Sequence, residues 1–438
     1  METPDEHTTG HNPQGRMNWR AIRLRILLLV MAGTIVNYLA RNSLGVLAPQ
    51  LEHDLHISTR QYSYVVGAFQ LAYTVMQPIA GAVIDRLGLR AGFALFAVAW
   101  SLANLLHGFA RGWLSLAVFR GFLGLSESAA IPAGMKAIAS WFPDNERSIA
   151  TGWFNAGTAL GAILAPPLVV YIAMRNGWAS AFMVTGAIGF VWAAAWIRFY
   201  REPEDDPRLS PAERDLIIGG QRNVGGSGAD GPKTSLAAIF ASGRFWAIAI
   251  PRFLTEPAWQ TFSFWIPLYL ARERGMNLEA IALFAWVPFL AADIGGVSGG
   301  YLSPLLARWW RLSLENSRIA GIAVGAVLMI GPGCVGLAAT PAAAIALLAL
   351  GGFAHQMISV LINTLSADVF PRGQIGRANG LVGMFGWTGG LLFSLAIGQL
   401  ADGIGFAPLF ACLGVFDLIG ALWLYRWRKL LSPAESTQ

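Results

Sequence analysis

Residues 81–90 read GAVIDRLGLR, and this short charged stretch decides the fold of the 438-residue chain. Asp85 is followed directly by Arg86, and Arg90 closes the stretch after a second glycine. Apolar runs lie on both sides, near 61–84 and 91–110. Each run has the length of about 20 residues that a helix needs to cross a bilayer. The stretch therefore predicts a tight loop at a membrane surface.

The composition of the whole chain also indicates a membrane protein. Hydrophobic residues make up 55% of the sequence and charged residues 13%, with a mean hydropathy of +0.51. A water-soluble protein of this length is much less apolar. The two cysteines, Cys334 and Cys412, both lie in apolar runs, so we expect neither a disulfide framework nor a metal site. We also expect no cofactor.

Apolar runs repeat along the chain and predict twelve membrane-spanning helices, which we number as spans 1–12. The first six lie near 22–48, 61–84, 91–110, 113–140, 148–173 and 178–199. The last six lie near 244–271, 279–307, 317–339, 342–368, 375–401 and 405–426. We therefore expect an all-α integral membrane protein built from two pseudo-symmetric halves of six helices each.

The polar segments divide the chain between these two halves. Residues 200–243 are rich in proline, glycine and charge, a composition that predicts a linker. The expected order is a tail at 1–21, a first half at 22–199, the linker, a second half at 244–427 and a tail at 428–438.

The distribution of basic residues predicts the orientation in the membrane. If both termini lie on one side, 22 of the 31 Lys and Arg residues fall on that side and 5 on the other. Basic loops stay in the cytoplasm, so we expect both tails and the linker to be cytoplasmic. The net charge of +6 is explained by these short loops, and we exclude nucleic acid as a partner.

A weak internal repeat relates the two halves at an offset of 228 residues. The matched pairs are Phe142 with Phe370, Pro143 with Pro371, Ala150 with Ala378, Gly152 with Gly380, and Gly161 with Gly389. Parallel repeats of this kind are typical of transporters whose substrate site lies between the halves near the bilayer midplane. The same offset pairs Glu127 in span 4 with His355 in span 10.

Span 4 carries two charges within residues 120–132, RGFLGLSESAAIP. Arg120 and Glu127 are seven residues apart, which is about two helical turns, so they share one helix face. A charge at the bilayer centre costs roughly 2.5 to 3.5 kcal/mol, so this face must meet polar groups rather than lipid. We expect Arg120 and Glu127 to pair, with Glu127 as the protonatable group of a coupling mechanism.

Span 1 contains another arginine, Arg41, one turn from Asn37 and close to Tyr38. The planar fork of arginine suits a carboxylate. Because Arg120 has Glu127 on its own helix face, we expect Arg41 to anchor an anionic substrate. The alternative is that Arg41 makes a structural pair with another helix.

Polar stripes on other spans are candidates for contacts with substrate hydroxyls. Span 2 has Gln70, Tyr73 and Gln77; span 7 has Arg252, Glu256 and Gln260; span 10 has His355, Ser359, Asn363 and Ser366. The alternatives are that Arg252 and Glu256 satisfy each other and that the serines bond only to neighbouring helices. Trp259 or Trp387 is a candidate to stack on the C–H face of a sugar ring.

The loop at 81–90, between spans 2 and 3, resembles the loop 2/3 signature of the major facilitator superfamily. The resemblance implies a major facilitator fold, alternating access, and a cytoplasmic gate. We assign to this gate the charges of that loop and of the loop after span 4: Asp85, Arg86, Arg90, Glu146 and Arg147. In the second half, the corresponding run from Gly300 to Arg311 has Pro304 in place of the aspartate, which predicts a degenerate gate.

Residues 37–42, NYLARN, and residues 120–132 resemble the anion:cation symporter family. Many members have an aspartate before the span 1 arginine, where this chain has Ala40. Longer runs resemble bacterial hexuronate transporters, which also lack that aspartate. These runs are QYSYVVGAFQLAYTVMQPIAG from Gln61, IASWFPDNERSIATGWFNAG from Ile138, PRFLTEPAWQTF from Pro251, FAWVPFLAAD from Phe284, GAVLMIGPG from Gly325 and GGFAHQ from Gly351.

The resemblance covers nearly the whole chain. It implies import of galacturonate and glucuronate across the bacterial inner membrane, by proton symport, and it places Tyr73 at a cavity position. Alternatives are another organic anion such as an aldonate, export, sodium coupling, or sensing without transport. The run Gly296–Gly299, with His355 two spans later, matches an intramembrane serine protease pattern, but an enzyme has no use for the repeat. We therefore expect a monomeric transporter that is surrounded by lipid, and we do not expect the protein to be an enzyme.

Overall fold

The computed structural model describes residues 22–142, 144–211, 213–215, 217, 236–370 and 375–431, and these residues form helices and connections without a strand. Helical rods correspond to all twelve predicted spans, and we number them α1–α12. The first six are α1 (Ile22–Asp54), α2 (Thr59–Leu87), α3 (Leu89–Leu106), α4a (Trp113–Glu127) with α4b (Ala130–Trp141), α5 (144–176) and α6 (178–199).

The last six rods include three that are divided. They are α7a (Gly243–Phe264) with α7b (Ile266–Arg274), α8a (Leu278–Phe284) with α8b (Val287–Trp310), α9 (Leu314–Leu328) with a turn at Ile330–Gly333, α10 (Pro341–Val369), α11 (Ile375–Ile404) and α12 (Ala407–Leu431). Short helices lie at His107–Phe109, Pro203–Asp205, Leu236–Ala241 and Val335–Leu337.

The helical stretch from Asp144 to Phe199 crosses the membrane twice because the chain turns at Gly177. This glycine has a φ of 80°, a conformation that side chains with a Cβ rarely adopt. Before the turn, a Cβ on Gly157 would lie 2.9 Å from the Met31 carbonyl oxygen of α1. After the turn, the Trp192 indole donates to the Leu29 carbonyl of α1 at 2.9 Å. Both arms therefore pack on the same part of α1.

By length and composition, ten of the described helices qualify as membrane spans, with 150–199 counted once. Counting α5 and α6 as separate spans raises the number from ten to eleven. The remaining rod, α7, is divided at Trp265 and made more polar by Arg252, Glu256 and Gln260. Together these helices confirm the predicted all-α membrane fold with twelve spans.

Contacts between the first six and the last six helices run through α1, α2 and the stretch 144–199 that contains α5 and α6. α2 packs against α11, α1 packs against α7b, and α8 packs against the α5–α6 arm. Within each group, α1 packs against the α5–α6 arm, and α7a packs against α11 and α12. Residues from α1, α2, α7 and α11 therefore meet at the centre of the bundle.

The two ends of the bundle differ. We call the end that carries residues 87–89 and 200–211 the linker face, and the end that carries residues 54–59 and 274–278 the opposite face. At the opposite face, Arg272 Nη2 donates to Glu52 Oε2 at 2.7 Å, and Thr59 Oγ1 donates to Asp402 Oδ1 at 2.6 Å. Both contacts join the first six helices to the last six. The described ion pairs near the linker face do not join the first six helices to the last six.

Candidate functional site

An ion pair between α1 and α4a lies at the centre of the candidate site. Arg41 Nε donates to Glu127 Oε2 at 2.8 Å, and both side chains are buried. The Asn37 side-chain oxygen accepts a second, longer bond from Arg41 at 3.4 Å. Each buried charge is compensated by the other, and removing one partner would leave the other unpaired at high cost.

Arg120 does not make the pair with Glu127 that the sequence predicts. Its Nη2 donates instead to the backbone carbonyl of Arg41 at 2.8 Å. Arg41 reaches Glu127 from α1, and Arg120 is held by a backbone carbonyl of that same helix. The expectation about which arginine Glu127 holds was therefore wrong for this structure.

Arg120 keeps unused hydrogen-bonding capacity. It is fully buried, and its Nε and Nη1 have no hydrogen-bond partner among the described residues. The Phe69 and Phe264 rings lie 5.1 and 5.8 Å from its guanidinium carbon. Aromatic faces attract a guanidinium, but they leave its N–H groups free to donate to an anion.

Aromatic rings from three helices surround Arg41. The guanidinium carbon lies 4.6 Å from the Tyr38 ring centroid, 4.8 Å from Tyr73 and 5.9 Å from Trp387. Tyr73 and Trp387 stack on each other at 4.3 Å. The structure thus brings together four residues that the sequence predicted for substrate binding, and it places flat apolar surfaces beside a cation.

A chain of polar side chains continues from this group into the second half. Gln70 Nε2 on α2 donates to Gln260 Oε1 at 3.2 Å, and Gln260 Nε2 donates to Glu256 Oε1 at 3.1 Å. Glu256 Oε2 contacts Arg252 Nη2 at 2.7 Å. The pairing of Arg252 with Glu256, one of two alternatives from the sequence, is therefore present, and it lies at the end of a polar row that crosses between the halves.

Sequence reasoning missed Ser394 as a member of this row. Its hydroxyl accepts from Gln70 at 3.2 Å and from the Trp265 indole at 3.4 Å. Ser394 is seven residues after Trp387, on the same face of α11. This seven-residue spacing from Trp387 could have identified Ser394 from the sequence.

His355 and Trp259 form a second aromatic contact. Their rings stack with centroids 5.7 Å apart, and His355 is buried. Its Nδ1 has no hydrogen-bond partner among the described residues. The nearby Arg252 donates instead to the Ser359 hydroxyl at 2.7 Å. Trp259 thus packs on His355, away from the rings around Arg41.

Two predicted binding residues make no described hydrogen bond. Gln77 on α2 is half-buried, and Asn363 on α10 is exposed. Asp417 on α12 is buried beside Thr255 of α7a, with no cation against it among the described residues. We call Arg41, Glu127, Tyr38, Tyr73 and Trp387 the central group. The structure gives no contact that assigns Gln77, Asn363 or Asp417 to it.

The predicted gate residues connect helices within the first half. Asp85 Oδ1 accepts from Lys136 Nζ of α4b at 2.6 Å, a partner that the sequence reasoning did not predict. Arg90 donates twice to the Ile197 carbonyl, at 3.2 and 2.5 Å. Glu146 contacts Arg23 at 2.5 Å. Arg86 is exposed without a described ion pair, and the side chain of Arg147 lies outside the described residues.

The second half has a comparable contact near the linker face. Arg318 pairs with Asp368 and donates to the Thr364 carbonyl at 3.0 Å. The 228-residue offset relates Arg318 to Arg90. Both arginines hold a carbonyl near the end of a neighbouring helix, although Pro304 interrupts the loop pattern.

One cavity is lined by residues outside the central group. Its volume is about 810 Å³, and it lies between the start of α3 and the end of α6, beside Arg90 and Arg201. It contains none of the predicted substrate-binding residues.

Comparison with known proteins identifies the class of membrane protein. The family model described as the Major Facilitator Superfamily matches residues 30–332. The chain belongs to the major facilitator superfamily. This confirms the resemblance drawn from the loop at 81–90. As a member of a superfamily of transporters, the protein is a multi-pass membrane transporter and not an enzyme.

Two relatives and one solved structure illustrate the similarity of this major facilitator protein. It is 50% identical over 406 residues to the hexuronate transporter of Escherichia coli K12, covering 93% of this chain and 94% of the relative. It is 46% identical over 327 residues to the galacturonate transporter of Dickeya chrysanthemi, covering 75% and 94%. The structure of a D-xylose-proton symporter matches with a TM-score of 0.73 at 13% identity, covering 93% and 98%. This last likeness concerns the fold alone.

Proposed function

We propose that this transporter imports hexuronates, such as galacturonate and glucuronate, across the bacterial inner membrane by proton symport. The observation that carries the proposal is the 50% identity, over 93% of the chain, to a protein named hexuronate transporter. A hexuronate has one carboxylate, several hydroxyls and a ring with apolar C–H faces. The central group offers the Arg41 guanidinium for the carboxylate and the Tyr38, Tyr73 and Trp387 rings for the C–H faces.

Proton coupling follows from competition for Arg41. In this structure Glu127 occupies the guanidinium that a substrate carboxylate needs. A proton on Glu127 removes its negative charge and releases Arg41 to the substrate. Binding of the proton and binding of the anion then favour each other, because each is linked to the same broken ion pair. Arg120, with two unused N–H groups beside the pair, supplies further donors for the anion.

The row formed by Gln70, Gln260 and Ser394 is proposed to bind sugar hydroxyls. Amide and hydroxyl groups both donate and accept hydrogen bonds, so this row matches a substrate with several hydroxyls. His355 with Trp259, and Gln77 with Asn363, are proposed to line the route between this row and the linker face.

Alternating access is proposed to open the site first to one side of the membrane and then to the other. With basic loops in the cytoplasm, the linker face is cytoplasmic, and the contact of Glu52 with Arg272 closes the opposite face. Asp85 with Lys136, Arg90 with Ile197, and Arg318 with Asp368 keep neighbouring helices of each half together. Each half is then able to move largely as a unit about the central site.

Uptake into proteoliposomes tests the proposed function. We expect an inward-directed proton gradient to drive accumulation of labelled galacturonate, with glucuronate as a strong competitor and a neutral hexose as a weak one. A sodium gradient at equal pH on both sides is expected to drive no accumulation. If galactonate competes and glucuronate does not, the substrate is an aldonate; if only sodium drives uptake, proton symport is wrong.

A further inference from the structure

The two buried carboxylate–arginine pairs of the central site are held differently. Glu127 contacts Arg41 through Oε2, while its Oε1 has no hydrogen-bond partner among the described residues. Glu256 Oε1 accepts from Gln260, and Oε2 lies 2.7 Å from Arg252 Nη2 in an ion pair without a described hydrogen bond. The Arg41–Glu127 contact is thus a direct hydrogen bond, whereas the Arg252–Glu256 contact is an ion pair at the end of the row that runs through Gln260.

Both pairs face the same region of the site. The Arg41 guanidinium carbon lies 4.6 Å from the Tyr38 ring centroid and 4.8 Å from the Tyr73 ring centroid, and Tyr73 is one helical turn from Gln70 on α2. The Gln70–Gln260 bond connects the Glu256 pair to α2, which also carries Tyr73 of the central group. A six-carbon sugar acid bound at Arg41 therefore extends toward the Glu256 pair.

We propose that Glu256 determines how many carboxylates the site accepts, by occupying Arg252 and so excluding sugar acids with a carboxylate at each end. This inference rests on the proposed function, since it presumes that Arg41 binds the first carboxylate. A uronate presents only hydroxyls at the end remote from its carboxylate, and hydroxyls donate to a carboxylate such as Glu256. A hexarate such as galactarate presents a second carboxylate there, which Glu256 repels and which finds Arg252 already paired.

Other charged or titratable groups near this pair do not replace Glu256 in this role. His355 faces Arg252 from α10, and it has no carboxylate partner among the described residues, so an unpaired charge on its buried ring is costly. Asp417 approaches α7a from α12 beside Thr255, without a cation against it in the described part of the chain. Neither occupies the Arg252 guanidinium.

The decisive variant is Glu256→Gln, which keeps the shape of the side chain and removes its charge. The measurement is displacement of labelled galacturonate from purified protein by unlabelled galactarate and by unlabelled galacturonate. We expect the ratio of the two half-displacing concentrations, galactarate over galacturonate, to fall at least tenfold in the variant. Glu279→Gln is the matched control, since Glu279 is exposed at the opposite face and has no described ion pair, and its ratio is expected to equal the wild-type ratio.

A double variant tests the part assigned to Arg252. Arg252→Gln with Glu256→Gln replaces the ion pair by two neutral amides, which is also a safeguard if the single variant fails to fold. We expect the galactarate-over-galacturonate ratio of this protein to be at least tenfold higher than that of Glu256→Gln, because the second anchor is gone. A ratio in the double variant as low as that of Glu256→Gln contradicts the inference, and so does an unchanged ratio in a folded single variant. Failure of the wild type to bind galacturonate defeats the proposed function instead, so the two failures are distinguishable.

Discussion

Replacing Glu52 by glutamine tests which contact closes the opposite face. Glu52 lies at the end of α1, and its pair with Arg272 is the one described ion pair that joins the first six helices to the last six. The contact is 2.7 Å long, with the Glu52 side chain 8% exposed and the Arg272 side chain 38% exposed. In the proposed alternating access, the halves separate at this face and the pair is lost, so we expect it to stabilise the closed state alone.

The size of the effect follows from the exposure of the pair. A hydrogen bond to a charged group contributes about 1.5 to 3 kcal/mol, and solvent screening of the part-exposed Arg272 reduces this. Arg272 also keeps its bonds to Thr59 and Asp402 in the variant. We therefore expect Glu52→Gln to weaken the closed state by about 1 to 1.4 kcal/mol, which is a five- to tenfold change in the ratio of open to closed molecules.

Cysteine labelling measures this ratio. The reporter is Ser263→Cys, in a protein whose Cys334 and Cys412 are replaced by alanine, because Ser263 is 9% exposed and its carbonyl lies against Gly45 of α1. A membrane-impermeant maleimide is added from the opposite face. We expect the labelling rate to rise five- to tenfold in Glu52→Gln and to stay at the wild-type value in Glu279→Gln. An unchanged rate in folded Glu52→Gln would refute the reasoning.

Three further predictions concern the central ion pair and the start of the linker. Arg41→Lys is expected to lose galacturonate binding, because an ammonium lacks the planar fork that holds a carboxylate; near-wild-type affinity in the displacement assay removes Arg41 from the site. Glu127→Gln is expected to abolish proton-driven accumulation while preserving exchange of labelled for unlabelled substrate, and retained acid-driven accumulation places coupling elsewhere. Burial acts to raise the pKa of Asp206, but hydrogen bonds from the Arg208 side chain and backbone outweigh it and hold the pKa below its usual range. A carboxyl with a lowered pKa stabilises the fold above its unfolded pKa, so Asp206→Asn is expected to lower stability at pH 7 by about 1 kcal/mol. Thermal unfolding in detergent should show that difference shrinking from about pH 4 downward, and a pH-independent difference contradicts the ion-pair explanation.

The fold was predictable from sequence because a bilayer imposes simple rules. A spanning helix must satisfy its own backbone and bury about 20 apolar residues, so hydropathy and length locate the spans. The ends were less predictable, since α1 continues to Asp54 while its apolar run ends near 48. Interruptions such as the one at Trp265, between α7a and α7b, leave no gap in the apolar pattern. They depend on packing against other helices.

The membership of the central group was also largely predictable, but its pairing was not. Helical spacing shows which residues of one helix share a face, and it selected Arg41, Tyr38 and Glu127. It does not show which face of another helix lies opposite. Arg41 and Glu127 are 86 residues apart, and only the packing of α1 against span 4, mainly α4b, brings them to 2.8 Å. For the same reason, Lys136 was not recognised as the partner of Asp85.

The actual pairing explains why the site contains two arginines around one carboxylate. If Arg120 held Glu127, Arg41 would be a buried cation with no partner whenever substrate is absent, which is a costly state. With Arg41 on Glu127, Arg120 is the cation left without a carboxylate, and the Arg41 carbonyl and the Phe69 ring partly compensate its charge. In the proposed mechanism, the charge that binds substrate is therefore held in a pair that one proton opens. The same mechanism predicts that an empty carrier without its proton is stabilised, because Glu127 pairs with Arg41 again.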